Sequence, residues 1–197
     1  MTPLRTAFQQ VLAALDLLEV AYFVGGSVAS GSYGLPRQTN DIDIVADFRL
    51  VDIGAFCRVL GRDFYLDEQT VREAIQTGRP FNAIHLRGAL KFDFFPAAAE
   101  GFAQSELARR RYTVSALPGL EDIEFPVSSA EDAILAKLVW FRAGGEASER
   151  QWHDILGILK VQSNRLEVEY LKTWAARLAV TDLLERAVTT VARVPDP

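Results

Sequence analysis

The sequence predicts an α/β (α+β) fold in which helices flank a mixed β-sheet and a small helical lobe follows. Through residue 127, segments with helical spacing of apolar residues alternate with short strand-like segments, and beyond it only helical spacing remains. The length of 197 residues is enough for one domain or for a compact two-lobed unit. We therefore predict an α/β lobe over residues 1–127 and a helical lobe over residues 128–197.

The composition is that of an ordinary globular protein, because 49% of the residues are hydrophobic and 24% are charged. A net charge of −5 argues against a protein that coats nucleic acid, although it allows a local basic patch. The single cysteine, Cys57, excludes an internal disulfide and a four-cysteine zinc site, and its helical surroundings favour a buried, unreactive thiol. No segment approaches the roughly 20 apolar residues that span a bilayer, so we expect a cytoplasmic protein without membrane contact.

The predicted elements of the first lobe follow the two periodicities of apolar residues. Thr2 followed by Pro3 favours the start of a helix, since threonine caps helices and proline fits their first turn. Helices are expected at about residues 3–18, 27–33, 52–60, 67–77 and 99–109. Strands are expected at 21–24, 41–48, 81–86, 89–95, 111–116 and 123–127, with a loop at 35–40.

The second lobe is predicted to be all-helical. Ser128 and Glu131 are spaced as a capping box, with Ser128 as the cap of a helix that runs to about Phe141. Further helices are expected at about residues 148–160, 167–178 and 181–192. The three tryptophans lie at helical spacing on apolar faces, which favours core positions over base-stacking platforms: Trp140, Trp152 and Trp174.

Three aspartates are the strongest candidates for chemistry. Asp41 and Asp43 are two residues apart in a predicted strand, so they project from the same face and repel each other unless a cation lies between them. Asp93 lies in a similar alternating pattern on a later strand, which could place its carboxylate beside the first pair. Three oxygen ligands suit Mg²⁺ or Mn²⁺ better than zinc. The alternative is that these acids simply form the solvated face of their strands.

A glycine turn precedes the first acids. Gly25, Gly26 and Ser27 end a predicted strand and open a predicted helix, where backbone amides can point at phosphate oxygens. Alone the turn is weak evidence, because many turns need glycine for its positive φ. It is neither a Walker loop nor a Gly-x-Gly-x-x-Gly dinucleotide motif.

The glycine turn, the Asp-x-Asp strand and the later aspartate together resemble the nucleotidyltransferase superfamily, which includes DNA polymerase beta, tRNA nucleotidyltransferases and antibiotic nucleotidyltransferases. The superfamily has Gly-Gly or Gly-Ser after an apolar residue, then a short spacer, then Asp-x-Asp or Asp-x-Glu flanked by apolar residues. Here 13 residues separate Ser27 from Asp41, and the resemblance covers roughly residues 20–96.

The resemblance implies transfer of a nucleoside monophosphate from an NTP to a hydroxyl acceptor, with release of pyrophosphate. It implies phosphate binding by Gly25, Gly26 and Ser27, and two Mg²⁺ (or Mn²⁺) ions at the catalytic acids Asp41, Asp43 and Asp93. An RNA or tRNA end, a protein side chain and a small molecule all remain open as the acceptor. The rival hypotheses are a non-catalytic nucleotidyltransferase-like binding module (an antitoxin or docking partner) and a metal-dependent phosphohydrolase.

A narrower likeness is to the AbiEii-type branch, the nucleotidyltransferase toxins of abortive-infection and toxin–antitoxin systems. That branch has Lys-x-Asp on the third-acid strand, an Asp and a Lys five apart on a helix, and a later Arg-Asp-x-x-Asp segment. The matching residues here are Lys91 with Asp93, Asp132 with Lys137, and Arg150 with Asp154, while Gln151 replaces one acid. The likeness implies a cognate toxin or antitoxin partner.

Two downstream features have competing interpretations. Lys137 could neutralise the triphosphate and Asp154 could orient either Lys137 or a nucleotide hydroxyl, so both are candidate nucleotide-binding residues. Their alternative is an inter-helix salt bridge or two exposed charges. The triplet Arg109-Arg110-Arg111 is either a solvated helix end or a contact for a phosphate-bearing acceptor.

Overall fold

The computed structural model describes residues 2–35, 39, 41–88, 90–115 and 118–193, and within them the chain has nine α-helices, a 3-10 helix at Gly61–Asp63 and seven strands. The helices are α1 (Pro3–Leu17), α2 (Gly26–Tyr33), α3 (Ile53–Leu60), α4 (Glu68–Thr77), α5 (Phe102–Arg109), α6 (Ala130–Ala143), α7 (Glu149–Gln162), α8 (Val168–Arg177) and α9 (Thr181–Arg193). The strands are β1 (Tyr22–Val24), β2 (Asp41–Ala46), β3 (Phe64–Tyr65), β4 (Phe81–His85), β5 (Leu90–Pro96), β6 (Arg111–Val114) and β7 (Glu124–Val127). Of the predicted loop at 35–40, residues 36–38 and 40 lie outside the described residues.

The strands form one mixed sheet in the order β3-β4-β5-β2-β1-β7-β6. The neighbours β2 and β5 run parallel, as do β1 and β7, whereas β1 and β2 are antiparallel. The predicted mixed sheet with flanking helices is therefore confirmed. Because β2 and β5 are adjacent in the sheet, acids that are distant in the sequence come to lie side by side.

One face of the sheet forms the hydrophobic core. Ile42 and Ile44 on β2 are buried, as are Phe92 and Phe94 on β5. The ring of Phe56 on α3 packs against that of Phe94, with 5.5 Å between centroids. Each fully buried phenylalanine stabilises the fold by about 1.5–3 kcal/mol. This burial fixes the register of both strands, since a shift by one residue would drive the aspartates into the core.

The last four helices share this core with the sheet. On α7, the side-chain amide of Gln162 donates to the carbonyl of Tyr33 at the end of α2, at 2.9 Å. The adjoining Gly34 lies so close to α7 that an added Cβ would be 3.0 Å from the backbone nitrogen of Ile158. The division into two lobes near residue 127 stays a prediction. Among the described residues, no helix is both long and apolar enough to cross a bilayer.

The start of α6 differs from the prediction. Its cap is Ser129, whose hydroxyl accepts from the Asp132 N–H at 3.2 Å, so the prediction that Ser128 is the cap was wrong. The Ser128 N–H instead donates to the Val24 carbonyl at 3.1 Å and continues the pairing of β1 with β7. The helix therefore begins one residue later than the capping-box spacing indicates.

The prediction that all three tryptophans are core residues was wrong for Trp140, which is 53% exposed on α6. Trp152 and Trp174 do pack against the core. The thiol of Cys57 is half-buried, and burial raises its pKa to about 11, so it stays protonated at neutral pH.

Candidate active site

Three carboxylates of β2 and β5 lie on the face of the sheet opposite Ile42, Ile44, Phe92 and Phe94. The strands are parallel neighbours in which Asp43 pairs with Asp93 and Asp41 pairs with Lys91. Paired residues on adjacent strands lie about 4.8 Å apart and project to the same side. Asp41 is exposed, whereas Asp43 and Asp93 are half-buried. The structure thus brings together the three acids that the sequence pattern predicts as a cluster.

The glycine turn lies directly against these acids. The Gly25 N–H donates to the Asp43 carbonyl at 2.9 Å, which ties the end of β1 to β2. Gly26 has a φ of +54°, a conformation that side-chain-bearing residues rarely adopt. A Cβ at Gly26 would overlap the Asp43 side chain, lying 2.6 Å from its carboxyl carbon. The sequence predicts that a phosphate approaches the backbone closely at Gly26, which would require a glycine there. The structure adds a second reason for the glycine, namely that Asp43 packs against it.

The start of α2 is a suitable anion site. The helix begins at Gly26, and the first amides of any helix have no partner within it and carry the positive end of its dipole. Its N-cap, Gly25, has no side chain to cover them, and Ser27 in the first turn supplies a hydroxyl. A negatively charged group bound here would lie next to Asp43. A phosphate and a carboxylate at such close range require a cation between them.

Burial is the main influence on the ionisation of Asp43. It raises the pKa of that carboxyl, and the neighbouring charge of Asp93 raises it further. Lys137 and Lys91 act in the opposite direction, and the net pKa remains above the ordinary aspartate value. Asp43 and Asp93 therefore form a pair of anions whose repulsion the protein leaves partly uncompensated.

Both nearby lysines are paired with acids. Lys91 Nζ is 2.8 Å from Asp93 Oδ2, and it holds that carboxylate from the adjacent position on the same strand face. Lys137 Nζ is 2.8 Å from Asp154 Oδ2, in a largely buried pair that joins α6 to α7. The inter-helix salt bridge considered for Lys137 and Asp154 is thus present. Because the charge of Lys137 also lowers the pKa of Asp43, this lysine lies near the acids as well.

The acid cluster suits a hard divalent cation by its donor chemistry, which is oxygen only. Burial is the largest cause of the raised pKa of Asp43 and the charge of Asp93 is the second, and a bound cation would act against both. In the described residues no three His, Cys, Asp or Glu side chains are already arranged to hold one ion. The carboxylate of Asp93 is paired with Lys91.

The arginine triplet has a role that neither sequence interpretation described. Arg109 is neither a solvated helix end nor a free cation, since it lies within 3.2 Å of Glu131 and 2.9 Å of Glu167. Its guanidinium also lies over the ring of Tyr170, 3.9 Å from the centroid. Glu131 is on α6, Tyr170 is on α8 and Glu167 is the N-cap of α8, so Arg109 fastens α5 to the C-terminal helices. Arg111 is exposed.

The site contains two aromatic residues that the sequence pattern did not point to. Phe95 follows Asp93 by two residues on β5 and therefore lies on the same face of the strand. Its ring contacts Trp140 of α6 edge to face, with 5.9 Å between centroids. The Lys-x-Asp-x-Phe alternation on β5 was the only available signal for Phe95.

No model of a known protein family and no curated protein sequence matches the chain. Its structure is similar to the antibiotic-resistance factor ANT(2'')-Ia in solution, with a TM-score of 0.55 and 19% identity over 92% of this chain and 94% of that one. The crystal structure of ANT(2'')-Ia in complex with adenylyl-2''-tobramycin gives a TM-score of 0.56 and 17% identity, covering 90% and 98%.

An antigenic nucleotidyltransferase-like protein from Paracoccidioides brasiliensis is similar with a TM-score of 0.50 and 16% identity, covering 94% of this chain and 92% of that one. The fold is that of the nucleotidyltransferases. The fold that the sequence motifs implied is confirmed, and the similarity extends over nearly the whole chain.

Proposed function

We propose that this protein is a metal-dependent nucleotidyltransferase that moves a nucleoside monophosphate from an NTP to a hydroxyl acceptor. The observation that carries the proposal is the register of Asp43 with Asp93 on parallel strands, with Gly26 packed directly against Asp43. A phosphate-binding turn and an acid cluster in contact with each other are what such a transfer needs. The nucleotidyltransferase fold supports the proposal independently.

In this mechanism the turn holds the leaving group. The amides at Gly25 and Gly26 and the hydroxyl of Ser27 bind the β- and γ-phosphates. The acceptor oxygen attacks the α-phosphorus, the bond from that phosphorus to the bridging oxygen breaks, and pyrophosphate leaves. Positioning and charge neutralisation supply most of the rate enhancement.

The acids hold the cations and receive the proton. Asp41, Asp43 and Asp93 would hold two Mg²⁺ or Mn²⁺ ions, which would neutralise the phosphates and activate the attacking hydroxyl. Asp93 accepts the proton of that hydroxyl. Lys91 leaves Asp93 for the triphosphate as the substrates bind. Lys137 adds positive charge near Asp43, and Asp154 keeps its ammonium group in place.

For the acceptor, only a general chemical class is proposed. ANT(2'')-Ia was crystallised with adenylyl-2''-tobramycin, which favours a small hydroxylated molecule over an RNA end or a protein side chain. The overall charge of −5 also disfavours a long nucleic acid. The AbiEii-type assignment, with a cognate toxin or antitoxin partner, rests on three pairs of matching residues: Lys91 with Asp93, Asp132 with Lys137, and Arg150 with Asp154. The cytoplasm, where NTPs are available, is the proposed location.

Each of the two predicted lobes would contribute different residues to the nucleotide site. Residues 1–127 carry the glycine turn and the three acids, whereas residues 128–197 carry Lys137 and Asp154. The helical lobe would thus close one side of the nucleotide site.

A non-catalytic binding module is the second candidate, and one observation favours it. Asp93 is held by Lys91 at 2.8 Å, so a lysine already neutralises the third acid. The two candidates differ in cation binding. Titration of Mn²⁺ with a non-hydrolysable ATP analogue gives saturable binding if the protein is an enzyme, and none at millimolar concentrations if it is a docking module.

The direct test is label transfer from α-³²P-labelled NTPs to RNA, protein or small molecules in a cell lysate. We expect wild type to label one of these fractions and Asp43→Asn to reduce the label by about 100-fold or more. Asp47→Asn is the matched control, because Asp47 is exposed just beyond β2. Equal labelling by wild type and Asp43→Asn would remove the catalytic claim.

A further inference from the structure

Strand β6 forms one edge of the sheet. Among the strands that the structure describes, it has a neighbour on one side only, the antiparallel β7. Natural proteins often protect such an edge by keeping the strand very short or by placing proline or lysine on it. The opposite edge strand, β3, has only the two residues Phe64–Tyr65. Strand β6 has four residues, none of which is proline or lysine, and is therefore the longer and less protected edge.

The backbone groups of Tyr112 and Val114 face away from β7. Just beyond β6, the Ser115 N–H donates to the Ile123 carbonyl at 2.9 Å. In antiparallel pairing, residues that bond to the neighbouring strand alternate with residues whose N–H and C=O point to the other side. The odd-numbered residues of β6 therefore bond to β7, and the even-numbered ones do not. The residue opposite Tyr112 agrees with this, because Pro126 has no N–H to donate.

The side chains of the same two residues are exposed. Tyr112 is 66% exposed and Val114 is 59% exposed. Because they are two residues apart on a strand, they project from the same face of the sheet. Aromatic and β-branched side chains are the types that pack best across paired strands. The edge thus combines outward-facing backbone groups with side chains suited to a further strand, which makes it a template for strand pairing.

We propose that β6 pairs antiparallel with β6 of a second copy of this chain, which joins two seven-stranded sheets into one continuous sheet. The strand complements itself in one register. When Tyr112 lies opposite Val114 of the second copy, Val114 lies opposite Tyr112 of the second copy. Each of these pairs exchanges two backbone hydrogen bonds through the outward-facing groups, and each sets an aromatic side chain against a β-branched one.

Charge favours the antiparallel arrangement over a parallel one. Strand β6 begins with Arg111, whereas its last residue, Val114, pairs with Glu124 on β7. Both charged side chains are exposed. An antiparallel pair places the basic start of each strand near the acidic end of the other, whereas a parallel pair would set Arg111 against Arg111. A two-fold dimer needs a surface that complements itself, and this edge meets that requirement.

The dimer would leave the candidate active site open. In the sheet order, β7 and β1 lie between β6 and β2, so the strand that carries Asp41 and Asp43 is about 14 Å from β6. Pairing through β6 is therefore separate from the proposed nucleotidyl transfer, and either can fail without the other. We expect Val114→Lys, which disrupts the dimer, to transfer label from NTPs as wild type does.

The first test is sedimentation equilibrium of the full chain from about 5 to about 500 µM, a range that suits a small interface. We expect wild type to show a monomer–dimer equilibrium and Val114→Lys to dimerise at least about tenfold more weakly, because a lysine on an edge opposes strand pairing. Tyr65→Lys is the matched control and leaves dimerisation unchanged, since Tyr65 is 68% exposed on the opposite edge. A wild type that is monomeric throughout this range would overturn the proposal, as would equal dimerisation of wild type and Val114→Lys.

The second test is disulfide cross-linking, which depends on the register. In the proposed pairing Thr113 lies opposite itself on the two-fold axis, with about 4.5 Å between the two Cα atoms, which suits a disulfide. The two Val114 Cα atoms would be about 8 Å apart, beyond the reach of a disulfide.

We expect Thr113→Cys to form a covalent dimer with oxidised glutathione, and Val114→Cys to do so at least about fivefold more slowly. Wild type is the control for Cys57, whose thiol is half-buried with a pKa that burial raises to about 11. Val114→Cys is the more exposed of the two positions, so chance collisions would favour it. Cross-linking of Val114→Cys at an equal or higher rate than Thr113→Cys would therefore overturn the proposed pairing.

Discussion

Gly26 and Asp43 are in such close contact that no side chain fits between them, since a Cβ on Gly26 would lie 2.6 Å from the Asp43 carboxyl carbon. The start of α2 and the acidic strand β2 are therefore built as one unit. A change at either residue is therefore expected to affect the glycine turn and the acids together.

Gly26→Ala is expected to lose both stability and activity. The alanine would have to adopt a φ of +54° and displace Asp43, which costs about 1–3 kcal/mol in the free energy of unfolding. Gly25→Ala is the matched control for stability, because the nearest atom to its Cβ would be 3.7 Å away, an ordinary contact. Urea unfolding measures both variants, and an equal loss for the two would contradict this account of Gly26.

Asp43→Asn is expected to abolish transfer and to stabilise the metal-free protein. The pKa of Asp43 is raised on folding by burial and by Asp93, so the folded state holds this proton more tightly than the unfolded chain. The contribution of this group to stability is greatest below the unfolded pKa and is lost as the pH rises through the folded pKa.

A neutral amide avoids the cost of burying a carboxylate beside Asp93, and we expect Asp43→Asn to have a higher free energy of unfolding than wild type at pH 7 with EDTA. Asp47→Asn should leave stability within about 0.5 kcal/mol of wild type, as an exposed substitution. A loss of stability in Asp43→Asn would show that the carboxylate is favourably solvated or paired without metal.

The sequence pattern was sufficient to predict the face of the strand on which the acids lie, but not to predict which residues contact them. Alternation of aspartate with isoleucine in β2 predicts which side chains face the core, and the burial of Ile42 and Ile44 confirms it. The contact between Gly26 and Asp43 could not be predicted, because it depends on one positive φ and on the pairing of β1 with β2.

The misplacement of Trp140 has a simple geometric cause. Leu138 and Phe141 on α6 are buried, but Trp140 lies two residues from Leu138, about 200° around the helix axis. The sequence pattern therefore predicted a core position for Trp140 because its neighbours are apolar, although its side chain projects away from the core. For Arg109, the partners Glu131 and Glu167 are on distant helices, so no local pattern could reveal the pairing.

The contribution of the Lys137–Asp154 pair to stability can be measured separately from its contribution to nucleotide binding. Both side chains are about one-tenth exposed and their charged atoms are 2.8 Å apart, so Lys137→Met should cost about 2–3 kcal/mol in unfolding free energy. The double variant Lys137→Met/Asp154→Leu removes both charges and should recover most of that loss. Urea unfolding measures this recovery, and titration with the ATP analogue measures nucleotide affinity in the same variants.

If Lys137 also neutralises the triphosphate, the double variant will fold well and still bind the ATP analogue at least about tenfold more weakly than wild type. Lys172→Met is the control, since the exposed Lys172 pairs with Glu169 on the surface of α8. Recovery of both stability and nucleotide affinity in the double variant would leave the pair with a structural role alone.

Glu106 on α5 should make the protein less stable as the pH rises from about 4.5 to about 9. Its side chain is buried, and burial, aided by the charge of Asp132, raises its pKa from 4.5 to about 9. Below about pH 4.5 the carboxyl is protonated in both states. Between pH 4.5 and 9 the unfolded chain releases the proton while the folded chain keeps it, so stability falls as the pH rises.

Glu106→Gln keeps a neutral side chain of the same size at every pH. We expect it to raise the free energy of unfolding by roughly 2 kcal/mol at pH 8 and to leave it nearly unchanged at pH 5. Urea unfolding at the two pH values measures the difference, with the exposed Glu185→Gln as the control. A gain of equal size at both pH values would mean that the amide stabilises by a new hydrogen bond, because only the proton linkage of Glu106 makes the gain depend on pH.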